Sequence, residues 1–407
     1  MTIARAAGAG NRRHHRSTNV SSASTAASAI GNEGPPVHIH GRPTVAEVSL
    51  AALRHNCRRV RELVGPGVAV LAVVKADAYG HGAVPAARAF LAAGAWGLGV
   101  SSVAEGAELR RAGVSAPIVV LGGVFAGEEQ AVVAGDLEVA LWDTDRARAL
   151  ASPSRPVRVH LKVDTGMTRL GLDLAQVREF GELVRGTPGL EIAGVFSHFA
   201  SADAVDTAAA RAQAARFAGA VEALAAAGIR PRHVHLANSA GVLAAPGAHF
   251  TMVRPGIMLY GYAPASHLAE RAAVRHALRL STAITQIRRV PAGTPVSYAG
   301  TFVTARPSTI ATLPVGYADG YHRLASNRAQ VVVRGRRAPV AGRVCMDHTM
   351  IDVTGVDGVE RGDRVALFGD GLGADELAAW CETISYEMLT AVGRRVPRVH
   401  VEEWGDA

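Results

Sequence analysis

Val-Ala-Val-Leu-Ala-Val-Val-Lys, residues 68–75, is an apolar run that closes on a lysine. β-Branched residues without a helical period read as a strand buried on both faces. Seven runs of the same kind follow at Trp96–Val100, Ile118–Leu121, Val139–Leu141, Val157–Val163, Ile192–Phe196, His233–Leu236 and Thr251–Val253. The segments between them, such as Ala86–Ala93, Val103–Ala112 and Ala208–Ala227, are Ala-rich and carry Arg and Glu at helical spacing. Strand and helix alternating eight times predicts an α/β fold, a (β/α)8 TIM-type barrel. A doubly wound open sheet is the competitor, but the first strand is not followed by Gly-x-Gly-x-x-Gly.

Beyond Leu278 the texture changes. Short runs at Ser281–Val290, Thr309–Pro314, Gln330–Val333, Ala338–Val344, Thr349–Val353 and Arg364–Phe368 alternate with Gly and Pro, and one helix is expected near Ala374–Val392. The expected organisation is a disordered tail over residues 1–42, a barrel over 43–277 and a mostly β domain over 278–407. The tail holds five arginines, one glutamate and no apolar segment of the secretory kind, and an over-called start site would also explain it. It carries half of the net charge of +8, so a nucleic-acid partner is not expected. No apolar stretch is long enough to span a membrane. Three widely spaced cysteines argue against a disulfide framework and for a reducing, cytoplasmic compartment. No metal-ligand spacing is evident.

The fold supplies a place for chemistry. Active sites of such barrels lie at the carboxyl ends of the strands. The polar residues just past those ends are Lys75, Lys162 with Arg169, His198, Asn238 with Ser239, and Arg254. Closure makes the eighth strand a neighbour of the first, so Arg254 and Lys75 meet. Of 43 basic residues other than histidine, only Lys75 and Lys162 are lysines. A lysine can lose its proton and form a Schiff base, which a guanidinium cannot. Two leftover solvated lysines are the bland alternative, but each closes an apolar run. Asn238-Ser239 precedes Ala-Gly-Val-Leu, so Ser239 is expected to cap a helix and offer its hydroxyl to an anion, with Gly256 and Ile257 allowing close backbone approach.

The chain from about residue 43 onward resembles the bacterial alanine racemases. The resemblance is carried by Val-Val-Lys-Ala-Asp-Ala-Tyr-Gly-His-Gly at 73–82 and by blocks at Lys162–Gly171, Ser197–Ala200, His235–Ala240, Val253–Gly261, Ser297–Thr301, Leu313–Gly320, Cys345–Asp347 and Ile384–Arg398. Nine ordered blocks over two domains are far more specific than any single motif. One departure is Tyr-Ala-Gly-Thr at 298–301, where Tyr-Gly is usual.

The resemblance implies an amino-acid racemase that interconverts L- and D-alanine with pyridoxal 5'-phosphate. Lys75 would hold the cofactor as a Schiff base and serve as base on one face of the substrate carbon, Tyr298 on the other. Arg254 would face the pyridine nitrogen, and His198 would lie against the cofactor. Tyr79, Asn238, Ser239, Gly256, Ile257 and Tyr386 would hold its phosphate side. Lys162 would be carbamylated and orient Arg169, which reaches the phenolic oxygen and the substrate. Met346 and Asp347 would bind substrate and Tyr317 narrow the entrance. Tyr298, Met346 and Asp347 would come from the partner of a head-to-tail homodimer, and the product D-alanine would supply peptidoglycan. Taken alone, Tyr298 reads as a cross-strand aromatic and Arg254 or Lys162 as halves of ion pairs with carboxylates, Asp164 in the case of Lys162. His322 and His348 read as ordinary polar residues. Two other functions share the architecture. A barrel-type decarboxylase would carry a carboxylate toward the pyridine nitrogen, and a non-catalytic cofactor carrier would lack the second domain.

Overall fold

The eight expected runs form a closed parallel barrel: β2 (Ala69–Val73), β3 (Gly97–Val100), β4 (Ile118–Val120), β5 (Glu138–Leu141), β6 (Val157–Lys162), β7 (Leu190–Phe196), β8 (His233–His235) and β9 (Met252–Val253). The computed structural model describes residues 41–152 and 155–404. β9 pairs with β2 through Ala69–Met252 and Val70–Val253, which closes the cylinder. Helices cover its outside. Val103–Arg111 begins with a capping box in which Ser102 and Glu105 satisfy each other's backbone N–H groups. Asp143 caps Thr144–Leu150.

Alternation along the strands decides what fills the barrel. Successive side chains point to opposite faces, so Arg158, His160 and Lys162 share the inner face of β6 while Val157, Val159 and Leu161 pack under the helices. His160 of β6 touches His235 of β8 across the intervening strand β7, which is possible only through the interior. Ala140 and Gly194 stand beside His160 on the neighbouring strands. A Cβ on Gly194 would sit 2.2 Å from His160 Nδ1, so only glycine leaves room for the ring there.

β1 (Val45–Ser49) lies outside the barrel, although the expected barrel segment included it. It pairs antiparallel with β10 (Leu278–Ala283) and parallel with β19 (Arg398–Val401), the last strand of the chain. The cause is a buried cross-strand ion pair: Glu47 faces Arg279, and Arg364 and Asp370 complete the cluster. The second domain further holds β11 (Gln286–Val290), β12 (Pro295–Val296), β13 (Phe302–Val303), β14 (Ser308–Leu313), β15 (Gln330–Val333), β16 (Arg336–Pro339), β17 (Thr349–Asp352) and β18 (Arg364–Phe368). They form a six-stranded sheet ordered β16-β15-β18-β10-β1-β19, a three-stranded sheet β11-β14-β17 and the ribbon β12-β13. The run expected over 281–290 is interrupted at Ile284–Thr285. The single helix expected over 374–392 is two, Ala374–Trp380 and Ser385–Ala391, separated where Glu382 takes a left-handed φ of 57°.

The expected tail over residues 1–42 lies outside the described residues except at its end. There Arg42 forks onto the buried carboxylate of Asp319 and donates to Pro314 O at 2.8 Å. No described helix is long and apolar enough to cross a membrane, and the cysteines Cys57, Cys345 and Cys381 are all free.

Candidate active site

Lys75 sits where β2 leaves the barrel, and the chain then makes an unusual turn. Ala76, Asp77, Ala78 and Tyr79 have φ near 53° in succession, one left-handed helical turn built of L-residues. Such a conformation costs roughly 1–2 kcal/mol per residue, so it must be held from outside. Glu105 Oε1 accepts the Ala76 N–H at 2.8 Å while its other oxygen accepts from Ser101 at 2.6 Å, tying the ends of β2 and β3 together. Asp77 accepts the Ala83 N–H at 2.7 Å. From the second domain, His400 Nε2 donates to His81 O at 2.8 Å and Arg398 Nε to Gly80 O at 3.2 Å. The turn aims Lys75 into the mouth of the barrel and drops the Tyr79 ring onto Tyr260 at 4.7 Å.

The charges around Lys75 are mostly positive. Shielding by the barrel mouth and the Arg169 guanidinium lower its amine pKa, Glu105 opposes this, and Arg254 adds to the lowering. Lys162, 5% exposed on the inner face of β6, is held further down, at about 7, by burial and then by Arg254. The pairing of Lys162 with Asp164 does not form. Asp164 instead accepts the N–H groups of Gly166, Met167 and Thr168 at 2.8–3.2 Å, while Lys162 Nζ donates to Val163 O at 3.2 Å and lies 5.0 Å over the Phe196 ring. Arg254 is likewise not half of a carboxylate pair among the described residues. Its Nη1 donates to His235 Nδ1 and His235 O, both at 3.0 Å, and its Nη2 to Ser197 O, His198 Nδ1 and Leu236 O at 2.6, 3.2 and 3.2 Å. Burial lowers it to about 9, so it stays charged at neutral pH. Burial and then Arg254 hold His198 and His235 well below the usual histidine range, so both rings are neutral.

Anion-binding groups line the side of the mouth next to β8 and β9. Asn238, not Ser239 as expected, caps the helix Ser239–Ala244, accepting the Gly241 N–H at 3.0 Å. That shift of one position leaves the Ser239 side chain free to turn toward β9. Its Oγ accepts the Gly256 N–H at 2.9 Å, so the hydroxyl proton can point outward. A Cβ on Gly256 would lie 2.5 Å from the Tyr79 hydroxyl, so glycine brings backbone and phenol together. Tyr386 comes from the second domain to 6.0 Å from Tyr79, ring to ring. Ile257 follows Gly256 and opens the short 3-10 turn Ile257–Tyr260. Two phenols and a hydroxyl converge here against the Gly256 backbone, beside an amine and two guanidiniums. This donor set fits a small phosphate-bearing aldehyde.

The other expected residues gather elsewhere. Tyr298 is 72% exposed, Met346 53% and Tyr317 41%. Ser297 Oγ donates to Arg343 O at 2.7 Å, and Tyr317 and Ala318 donate their N–H groups to Cys345 O and Met346 O at 3.0 and 3.1 Å. Asp347 pairs with Arg395 at 2.7 Å. Among the described residues, no hydrogen bond, ion pair or ring contact joins Tyr298 to the barrel cluster. Sequence reasoning assigned no role to Glu105, His160, His235, Glu138 or Tyr260, whose hydroxyl donates to Val73 O at 2.8 Å. Polar residues every second position along an otherwise apolar run, as at Arg158, His160 and Lys162, were the available signal.

The chain matches the family models for the alanine racemase N-terminal domain over residues 48–264 and C-terminal domain over residues 277–400. It is 45% identical over 372 residues to the alanine racemase of Geobacter sulfurreducens, covering 88% of this chain and 97% of that one. It is 47% identical over 367 residues to that of Symbiobacterium thermophilum, with 88% and 97% covered. Among solved structures, alanine racemase from a D-cycloserine-producing Streptomyces lavendulae superposes with a TM-score of 0.84 at 36% identity, covering 89% of this chain and 98% of that one. The Bacillus anthracis alanine racemase with bound L-Ala-P gives a TM-score of 0.84 at 35% identity, covering 89% and 95%.

Proposed function

The chain belongs to the alanine racemase family of isomerases, and from that premise we propose that it interconverts L- and D-alanine by a two-base reaction on pyridoxal 5'-phosphate in a homodimer with shared sites. The observation that carries the proposal is the division of the machinery. An amine with a lowered pKa, an anion cradle and a buried guanidinium converge at the barrel mouth, while Tyr298, Tyr317 and Met346 stand exposed on the second domain. A head-to-tail pair would bring each exposed cluster to the other protomer's barrel, covering large apolar side chains that a monomer leaves in water.

Lys75 would carry the cofactor covalently. Tyr79, Ser239, Gly256, Ile257 and Tyr386 would hold its phosphate, Asn238 would brace that cradle, and His198 would lie against the ring. When bound, the cofactor supplies an electron-withdrawing ring that acidifies the proton on the substrate's α-carbon. The neutral amine of Lys75 takes or returns that proton on one face, and the oxygen of the partner subunit's Tyr298 does so on the other. A lysine and a tyrosine both titrate near 10 when unperturbed, and burial and then the Arg169 guanidinium shift Lys75 downward, the direction that favours a base. Arg254 would face the pyridine nitrogen. It can only donate, so it would give a hydrogen bond to that nitrogen and would not supply the proton that a carboxylic acid there could.

Lys162 suits carbamylation. Burial and Arg254 lower its amine to about 7, it forms no ion pair with a carboxylate among the described residues, and Arg169 adds to the lowering while Asp164 opposes it. The ammonium first gives one proton to solvent; attack of the neutral amine on carbon dioxide then forms an N–C bond and releases a second, so that a buried cation becomes an anion. That anion would orient Arg169 toward the phenolic oxygen and the substrate. Asp347 and Met346 would meet substrate and Tyr317 would restrict its size. The product would feed peptidoglycan synthesis in the cytoplasm.

The test is a chiral amino-acid assay on the purified holoenzyme, with Lys75→Ala and Tyr298→Phe run separately from each enantiomer. Because the enantiomers interconvert with an equilibrium constant of unity, kcat/KM should fall equally in the two directions. Tyr298→Phe should still exchange with deuterated solvent the α-proton of the one enantiomer that Lys75 serves, and exchange of both enantiomers would refute two bases. If the parent forms no D-alanine from L-alanine, the proposed reaction is wrong.

A further inference from the structure

TIM-type barrels ordinarily fill their interiors with layers of branched apolar side chains. Here a line of polar groups descends from the catalytic mouth toward the opposite end. Arg254 Nη1 lies 3.0 Å from His235 Nδ1, His235 Nε2 lies 2.8 Å from His160 Nδ1, and His160 Nε2 lies 2.8 Å from Glu138 Oε2. The two imidazoles are fully buried, and Arg254 and Glu138 are 3–4% exposed. Beyond Glu138 the line meets Arg158, whose Nε donates to Glu138 Oε1 at 2.9 Å and whose Nη2 donates to Asp136 at 2.9 Å; Arg155 also pairs with Asp136. His233 stacks on His160 at 6.2 Å and is itself packed on Trp96.

Donor chemistry fixes the direction of every link. A guanidinium only donates, so His235 Nδ1 must accept. A neutral imidazole has one N–H, so His235 carries it on Nε2 and gives it to His160 Nδ1. His160 then carries its own on Nε2 and gives it to the carboxylate. The line therefore works only with both histidines neutral, a cation at one end and an anion at the other. Each charge polarises the same two rings in the same sense, which strengthens every bond between them. No carboxylate touches Arg254 among the described residues, so Glu138 is the anion this line connects to it.

We propose that Glu138 is a positioning residue for the racemase site: acting through His160 and His235, it fixes the tautomers and hydrogen-bond direction that hold the Arg254 guanidinium at the barrel mouth. The proposal rests on the reading of Arg254 as the group that faces the cofactor ring. It reaches past that reading to a residue at the start of β5, on the half of the barrel opposite the mouth.

Two measurements test it. Neutron diffraction from a perdeuterated crystal of the holoenzyme should place deuterium on Nε2 of both His235 and His160 and on neither Nδ1; deuterium on either Nδ1 overturns the proposal. In solution, Glu138→Gln keeps the shape and removes the charge. It should lower kcat for alanine about tenfold, in the range typical of partners that orient a catalytic group, with KM within about twofold. Glu138→Asp keeps the charge and should lie closer to the parent than Glu138→Gln does. A merely structural role would lower thermal stability and leave the kcat of the folded protein unchanged, and that outcome also overturns it. Arg254→Gln, run alongside, separates the two readings. If Arg254→Gln slows turnover and Glu138→Gln does not, the proposal fails and the role of Arg254 stands. If neither slows it, the role of Arg254 fails and takes the proposal with it.

Discussion

Replacing Lys162 with methionine should stabilise the protein in acid, and by an amount that shrinks as pH rises. Burial and Arg254 bring the amine from its ordinary value of 10.5 to about 7 in the folded chain. The sign follows from proton counts. Below pH 7 both folded and unfolded chains hold the proton, and the folded chain bears the whole cost of a buried cation. Between 7 and 10.5 the unfolded chain binds more protons than the folded one, so stability climbs with pH, and above 10.5 the cost is gone. At about 1.4 kcal/mol per pKa unit, the full cost is about 5 kcal/mol at pH 6 and about 2 kcal/mol remains at pH 9. Lys162→Met removes the amine and keeps an unbranched apolar chain of similar length. Its advantage over the parent should therefore fall by about 2–3 kcal/mol between pH 6 and pH 9, measured by denaturant unfolding of cofactor-free protein in degassed buffer at fixed protein concentration. Bicarbonate supplies the second half of the test. Carbamylation consumes the neutral amine, so the parent should gain about 1.4 kcal/mol when carbon dioxide is tenfold above its apparent Kd, and Lys162→Met should gain nothing. A stability difference that does not change with pH would refute the burial argument, and a bicarbonate response shared by the variant would refute the carbamate.

Three further outcomes follow from the site. Borohydride reduction in the presence of pyridoxal 5'-phosphate should attach the cofactor to Lys75 alone, as peptide mass mapping will show, and Lys75→Arg should lose about 10³-fold or more in turnover because a guanidinium neither forms the link nor accepts the proton. Gly256→Ala should raise the cofactor Kd and destabilise the chain by about 1–3 kcal/mol, since its Cβ would lie 2.5 Å from the Tyr79 hydroxyl; unchanged cofactor titration would contradict the phosphate cradle. Glu105→Ala removes the acceptor of the Ala76 and Ser101 N–H groups together with the capping box, for a loss of about 2–4 kcal/mol in denaturant unfolding.

The barrel was legible because its physics is local. Val68–Val74 and its seven counterparts announce themselves by β-branched apolar residues between helical stretches, and barrel closure then predicts which rim residues meet. What was hidden depends on partners far away in sequence. Nothing in Val45–Ser49 distinguishes a barrel strand from one that pairs with Leu278–Ala283; the decision lies in Glu47 meeting Arg279, 232 residues later. The break between the last two helices rests on a left-handed φ at Glu382, with no Gly or Pro nearby to signal it. Asn238 and Ser239 are both good helix caps, so local chemistry could not say which one caps and which turns to the Gly256 N–H. The inner polar line from Arg254 to Glu138 was written as alternation along β6, but its partners sit on β5, β8 and the loop after β9. Tyr298 and Met346 stand exposed on the second domain, and under the proposed function what would cover them is another copy of the chain.

The central claim, that each site takes Lys75 from one protomer and Tyr298 from the other, is tested most directly by mixed dimers. Lys75→Ala and Tyr298→Ala chains, each inactive alone, are unfolded together, refolded with pyridoxal 5'-phosphate and assayed for D-alanine formation. Random pairing makes half of the dimers mixed, and each mixed dimer has one intact site, so about a quarter of the parental activity should return. If the mixture stays as inactive as its parts while the refolded parent recovers, the two residues do not act across an interface, and the shared-site account is wrong.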